Sequence, residues 1–265
     1  MKEKSQRTIG PPFVVHIVTV GVSTLQNARR ELGREPSEED LLSLVQKDPR
    51  KASAELNTLL PIIEEKSVDQ HRVYLLHSDT AEGRFCASVL KQFLSGLGLR
   101  LHVESVEIKD LGNSETFTKG LANLLEQVVR LIRNHYAEGD RVFIHASGGF
   151  KPETAMAILA ANLPGSGAPV FYVHESFRKV IRLPALPIWP RRRERFIRFM
   201  EHMCRVREVP SPQLERMFMK ETVEEAKRLG WVEQDGDRIR LTPMGLLLWE
   251  RFEKLRLYGR RSLSD

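Results

Sequence analysis

Short β-rich runs alternate with longer amphipathic patterns up to about residue 183, and this alternation limits the fold more than any other feature. The runs are FVVHIVTV (13–20), RVYLLHS (72–78), RLHVESVEI (100–108), RVFIHAS (141–147) and PVFYVHES (169–176), each rich in Val, Ile, Phe or Tyr. Between them, helical patterns span Thr24–Leu32, Glu38–Val45, Ala52–Ile63, Ala81–Leu97, Phe117–His135 and Pro152–Ala161. Strand-helix-strand repetition of this kind predicts right-handed βαβ units, hence an α/β domain with a mostly parallel sheet covered on both faces.

The pattern changes after PALPIWP (184–190), whose three prolines exclude helix and central strand and mark a stiff connector. Phe196, Phe199, Met200, Met203 and Cys204 then fall on one helical stripe. Helices near Pro212–Met219 and Thr222–Leu229 follow, then WVEQDGDRIRLTP, two short strands joined at Asp235-Gly236. A last helix, MGLLLWERFEKLR, completes the order of a winged helix-turn-helix domain. The expected organisation is therefore 1–183, a linker at 184–190, and a small domain at 191–265.

Composition narrows the class. A chain of 265 residues, 41% apolar and 29% charged, has material for one large and one small domain and no disordered or fibrous bias. Cys86 and Cys204 lie far apart, so neither a disulfide framework nor a thiolate metal site is available, which fits a reducing, cytoplasmic compartment. No apolar run approaches the roughly 20 residues of a membrane helix, and the apolar stretch after Pro11 and Pro12 reads as a first strand rather than a signal peptide. The net charge is +6; residues 191–265 carry 18 Lys+Arg against 13 Asp+Glu, so the basic excess belongs to the C-terminal quarter.

Ligands of open parallel sheets bind outside the carboxyl ends of the strands. Four turns end there: VGVSTLQN, HSDTAEGR, HASGGFKPE and VHESF. In the third, Ser147, Gly148, Gly149 and Phe150 lead to Lys151, with Pro152 at the start of a helix. Glycines let the backbone approach a ligand, and the helix N–H groups with the Lys151 ammonium make an anion holder. It is neither a P-loop nor a dinucleotide fingerprint, since GxxxxGK[ST] and GxGxxG are both absent. The first turn presents Gly21, Val22, Ser23, Thr24 and Asn27; Leu25 occupies the place where a serine-hydrolase elbow needs Gly. The second offers Asp79 and Thr80, with Arg84 one turn into its helix, where a guanidinium can reach phosphate. Plainer readings stand beside these: a solvated Lys151, helix capping by Ser23 or Thr24, a solvated Arg84. His77, His145 and His174 lie near strand ends and could cluster, although three buried structural histidines explain them more simply. No metal or other cofactor is expected.

VTVGVSTLQNARR, LLHSDTAEGRFCASVL and FIHASGGFKPETAMAILAA resemble the CARF domain (CRISPR-associated Rossmann fold), in the branch that includes stand-alone ring nucleases. The resemblance covers residues 13 to about 183, and an appended winged helix is known in that group. It implies a homodimer that binds cyclic tetra-adenylate across its two-fold axis, with Ser23 and Lys151 most important for cleavage. It further implies metal-independent attack of a ribose 2′-OH on the adjacent phosphorus, leaving linear di-adenylate with a 2′,3′-cyclic phosphate. Lys151 and the Gly148–Phe150 amides would stabilise the developing charge and Ser23 would hold the attacking geometry; no general base stands out. Two alternatives remain. One is a ring-sensing transcription regulator that binds DNA through the winged helix, favoured by Arg191, Arg192 and Arg193 and opposed by Glu221, Glu224 and Glu225. The other is a HEPN ribonuclease, suggested by the spacing of Arg195 and His202, for which residues 190–265 are too short.

Overall fold

The computed structural model describes residues 12–66, 69–163, 168–173, 179–183, 194–228, 230–243, 245–246 and 249–250. The chain divides into two compact units, residues 1–188 and 189–265. The connector 184–190, Arg191–Arg193 and most of the expected last helix lie outside the described residues.

In the first unit the order is β1 (Val14–Val20), α1 (Ser23–Leu32), α2 (Glu38–Lys47), α3 (Pro49–Ala52), α4 (Ala54–Glu65), β2 (His71–Ser78), α5 (Ala81–Ser95), β3 (Leu101–Ile108), α6 (Phe117–Ala137), β4 (Arg141–His145), α7 (Lys151–Asn162), β5 (Val170–Val173) and β6 (Val180–Leu183). The strands form one sheet in the order β3-β2-β1-β4-β5-β6, with the first five parallel and β6 antiparallel at the edge. All seven residues of β1 are buried, as a central strand covered on both faces requires, whereas β3, at the other edge, buries only Val103 and Ile108. One face packs Val18, Leu75 and Val103 against Leu25, Leu41, Leu56 and Leu90 of α1, α2, α4 and α5. The result is a Rossmann-like α/β unit.

Two boundaries differ from expectation for local reasons. The helix expected over 52–63 is broken at Ser53, whose extended backbone ends α3 and whose hydroxyl caps α4 through Leu56 N. β6 was not anticipated, because four residues flanked by Lys179 and interrupted by Arg182 carry little strand signal; pairing with β5, from Val170↔Leu183 to Val173↔Val180, creates it.

The second unit runs α8 (Glu194–Val206), β7 (Glu208–Pro210), α9 (Ser211–Met217), α10 (Lys220–Arg228), β8 (Val232–Asp235) and β9 (Arg238–Leu241). Its sheet is antiparallel in the order β7-β9-β8. Phe199, Met200 and Met203 of the expected stripe are fully buried and meet Leu214, Val223 and Ile239; Cys204 is half-buried at the margin. The hairpin turns one residue later than expected, at Gly236-Asp237, with Gly236 at φ 60° in the first turn position that wants a positive φ.

Three buried histidines cross the main sheet in a single hydrogen-bonded line. His71 Nε2 is 2.9 Å from Lys66 O, His16 Nε2 is 3.0 Å from His71 Nδ1, and His16 Nδ1 is 2.9 Å from His145 Nε2. Their exposures are 0% for His16 and His145 and 1% for His71. A carbonyl only accepts, so His71 carries its proton on Nε2. Neutral rings then force Nε2–H on His16 and His145 in turn, leaving His145 Nδ1 without a partner. The cluster read from the sequence therefore has different members: His145 joins His16 and His71, His77 Nδ1 bonds Ser78 O at 2.9 Å, and His174 lies outside the described residues. Burial holds His16 well below its ordinary value, with His145 and His71 adding to the effect, and pushes His145 down to about 3 against an opposing contribution from the Thr58 main chain.

Because these folded-state values lie below 6.5, the stability they contribute is present above that pH and is lost as pH falls beneath it. Long-range proton–nitrogen spectra should show the Nε2–H tautomer in all three rings, with His16 and His145 still neutral at about pH 6. An Nδ1–H ring at position 16 or 145 would contradict the arrangement.

Candidate ligand site at the carboxyl ends of β1 and β4

From β1 the chain crosses to β2 on one side, while β4 lies on the other, so the crevice between β1 and β4 is the topological switch point of the sheet. The two turns leaving these strands touch there. A side chain at Gly21 would place its Cβ 2.5 Å from Gly149 N. Gly149 has φ 87°, and a Cβ there would strike the Glu153 carboxylate, so both the backbone conformation and the space demand glycine. Gly148 is pressed between Thr19 O and the Glu55 carboxyl with no room for a side chain.

On the first turn, α1 starts at Ser23 itself, with Val22 in the capping position and no side-chain cap. Capping by Ser23 or Thr24 therefore does not occur: both lie inside the helix, one and two residues too late. Their hydroxyl oxygens are buried with no hydrogen-bond partner. Buried orphan hydroxyls are uncommon, and two in succession at a helix start leave hydrogen-bonding capacity that the chain does not use. The first turn of α1 holds no acidic residue of its own, although Glu55 approaches from α4 to take the Gly21 N–H just before it. Asn27 sits further along, its amide reaching Ala52 O at 3.4 Å and its oxygen accepting from Arg30.

On the turn after β4, Ser147 Oγ accepts the Val173 N–H at 2.9 Å and so anchors β5. Gly148 O accepts from Thr19 Oγ1 at 2.7 Å. Phe150 is 58% exposed and Lys151 is exposed, both at the rim. One expected donor is otherwise engaged: Phe150 N donates to Glu153 Oε2 at 3.1 Å. The amide is spent on the chain's own acid, because a Glu two positions past Lys151 can fold back over the helix start.

The turn after β2 is tied down internally. Asp79 accepts Asp110 N at 2.8 Å and Gly112 N at 2.6 Å, latching the loop before α6. Burial acts to raise the Asp79 carboxyl, but these N–H groups outweigh it and hold it below its ordinary value. Thr80 caps α5 through Gly83 N at 2.9 Å, and Arg84 pairs with Glu107 at 2.6 Å on the surface.

Two acids under these turns escaped the sequence reading. Glu55, 1% exposed, accepts Gly21 N at 2.8 Å and Ser53 Oγ at 2.6 Å; burial raises its carboxyl while these donors oppose the rise. Glu153, 4% exposed, is pushed up to about 7 by burial against the Phe150 N–H. Glu153 had a signal, a Glu in the first turn behind a helix-starting Pro, whereas nothing in SAELNTLL distinguishes Glu55 from a solvated first-turn acid. Elsewhere among the described residues, His135, Glu138 and Asp140 gather potential metal-ligand atoms. There His135 Nδ1 lies 2.7 Å from Asp140 Oδ2, His135 Nε2 faces Tyr74 OH at 3.0 Å, and Asp140 Oδ1 accepts Phe13 N, a network that explains itself.

Gly149→Ala should destabilise the protein by about 1–3 kcal/mol, since it combines left-handed strain with a buried clash. Gly33→Ala, at φ 68° with open space around it, meets only the backbone term and should cost less. Urea unfolding of both variants measures the difference, and equal losses would contradict the tight packing of the turn.

Residues 50–186 match the family described as CRISPR-associated protein (Cas_APE2256). Solved structures similar to this chain include Can2 from Sulfobacillus thermosulfidooxidans in complex with cyclic tetra-adenylate (cA4), at 9% identity and a TM-score of 0.37, covering 94% of this chain and 68% of that one. Protein VC1899 from Vibrio cholerae is similar at 8% identity and a TM-score of 0.35, covering 90% of this chain and 64% of that one. With just over half of its 265 residues inside the family match, spanning β2 to β6 and the glycine turn, the chain belongs to the Cas_APE2256 family of CRISPR-associated proteins.

Proposed function

We propose that this CRISPR-associated chain binds cyclic tetra-adenylate at the β1–β4 crevice and cleaves it as a metal-independent ring nuclease, switching off antiviral signalling. The observation that carries the reading is the pair of buried, unpartnered hydroxyls of Ser23 and Thr24, beside a glycine turn that ends in Lys151. Family membership and the resemblance of the three turn motifs to CARF domains support it. A homodimer suits the ring, because two-fold symmetry offers each half of the ligand the same crevice.

The nucleophile is carried by the substrate, so no metal-bound water is required. A ribose 2′-oxygen forms a bond to the adjacent phosphorus as the bond to the 5′-oxygen breaks. The 2′-hydroxyl loses its proton and the 5′-oxygen gains one. Ser23 holds the phosphate or ribose in line, and Lys151 balances the charge that develops on the phosphoryl oxygens. Glu153 occupies the Phe150 amide, so an anion at the start of α7 has to compete with this carboxyl.

The second unit we read as a winged helix that dimerises or covers the ring. Among the described residues, Arg238 pairs with Glu208, Arg240 lies 2.8 Å from Asp235, and on α10 Lys227 pairs with Glu224 at 3.0 Å while Glu221 is exposed. That pattern disfavours the alternative, a ring-sensing regulator that grips DNA phosphates. His202 rests against Phe218 at 5.6 Å between centroids, a packing role rather than a nuclease one.

Incubation with cyclic tetra-adenylate and EDTA, followed by chromatography and mass measurement, should yield linear di-adenylate with a cyclic phosphate. Lys151→Ala and Ser23→Ala should each slow this by about 10²–10³-fold. A ring bound but returned intact would make the protein a sensor. A gel shift that appears only with the ring, at moderate salt, would favour the regulator.

A further inference from the structure

The carboxyl of Glu153 lies where the turn after β4 would meet an anion. Its Oε2 accepts the Phe150 N–H at 3.1 Å, and the same oxygen is the atom that a side chain at Gly149 would strike. It is 4% exposed, so it cannot swing into water without opening the turn. We propose that Glu153 is an internal competitor for the anion at the Gly148–Lys151 turn, and that seating a phosphodiester there obliges this carboxyl to bind a proton. Glu153 is thus a positioning residue, acting through the turn rather than on the reacting atoms. The inference rests on the reading of this turn as an anion holder.

The physical reason is the absence of a counter-charge. Packed against α7 are α6, β1 and β4. The charged or titratable groups on them are Lys119, Glu126, Arg130, Arg133, His135 and Tyr136 on α6, His16 on β1, and Arg141 and His145 on β4. None of these acts on Glu153; burial raises it and the Phe150 N–H opposes. Lys151, on its own helix, is exposed. An ionised Glu153 and a phosphate would then share a partly dry turn, where like charges repel far more than in water. With the carboxyl poised at about 7, the free protein carries it neutral in mild acid and ionised in mild base. Phosphodiesters do not titrate in that range, so a pH dependence of affinity reports the protein. Glu55 faces the same turn from α4, held by Ser53 and Gly21, and is the group from which Glu153 must be distinguished.

Affinity of the full chain for cyclic tetra-adenylate and, separately, for sulfate should be measured from pH 6.0 to 8.5 at constant ionic strength. Calorimetry in buffers of different ionisation enthalpy counts the protons taken up, and amide shifts of Gly148–Lys151 place the sulfate. Wild type should bind evenly below about pH 7 and lose about tenfold in affinity per pH unit above it, with uptake approaching one proton per site. Glu153→Gln and Glu153→Ala should bind without this slope and without proton uptake, and more tightly than wild type at pH 8. A slope that survives in both variants belongs to Glu55 and overturns the assignment, as does a flat wild-type profile or sulfate that fails to shift the turn at pH 6. Sulfate binding with the expected slope, beside a ring that does not bind, would sink the cyclic tetra-adenylate reading and leave this one standing.

Discussion

The Glu55 carboxyl joins parts of the chain that are far apart in sequence. It takes the Gly21 N–H from the turn after β1, receives the Ser53 hydroxyl at the start of its own helix, and forms the floor on which Gly148 rests. Three segments thus meet at one buried group. The distance between the β1 and β4 turns is set there, and with it the width of the crevice in which Ser23 and Lys151 act in the proposed function. Burying a carboxyl is costly unless it is hydrogen-bonded or neutral. Glu55 has two donors, and burial raises its affinity for a proton against them. A packed hydrocarbon could fill the same volume, but it would leave the Gly21 amide orphaned at the edge of the crevice.

The unit contains two sets of buried titratable groups whose linkage runs in opposite directions. His16 and His145 favour the fold above pH 6.5 and withdraw that support in acid. Glu55 and Glu153 do the reverse: their folded-state values are raised, so their support is complete below 4.5, the ordinary value of the carboxyl, and for Glu153 it is lost as pH rises through about 7. The imidazole line runs diagonally through the sheet from the carboxyl end of β4 to the start of β2, whereas the two glutamates lie at the ligand edge. Base therefore loosens the turns before it affects the sheet, and acid loads the sheet while the turns stay closed.

How much of this was legible in the sequence depends on the range of each interaction. The five parallel strands could be read from runs of Val, Ile and Phe, because a central strand must be apolar on both faces and β1 is. The glycine turn and Lys151 could be read from spacing. Sequence could not reveal that Ser23 falls inside its helix rather than before it, since the start is decided by the backbone of Val22. Nor could it reveal the line of histidines: His16 and His71 are 55 residues apart, and only the β1–β2 register brings them together. Glu55 is the clearest case. Apart from Ser53, the groups against its carboxyl come from the distant turns at Gly21 and Gly148, so its local sequence carries little trace of its burial.

The division of hydrogen-bond donors between the two turns bears on how a phosphate would sit. A turn rich in glycine before a helix suggests that α7 supplies the amides, yet Gly21 and Phe150 have both given theirs to buried acids. The hydroxyls of Ser23 and Thr24 have no hydrogen-bond partner, and Lys151 stands exposed at the rim. A phosphate that reaches the glycine turn from those groups must displace the Glu153 carboxyl from the Phe150 amide. The glycines then serve closeness: any side chain at Gly21 or Gly149 would push the turns apart and remove Lys151 from the hydroxyls it must act with. In the proposed function, positioning depends on that separation, which the buried acids Glu55 and Glu153 help to set.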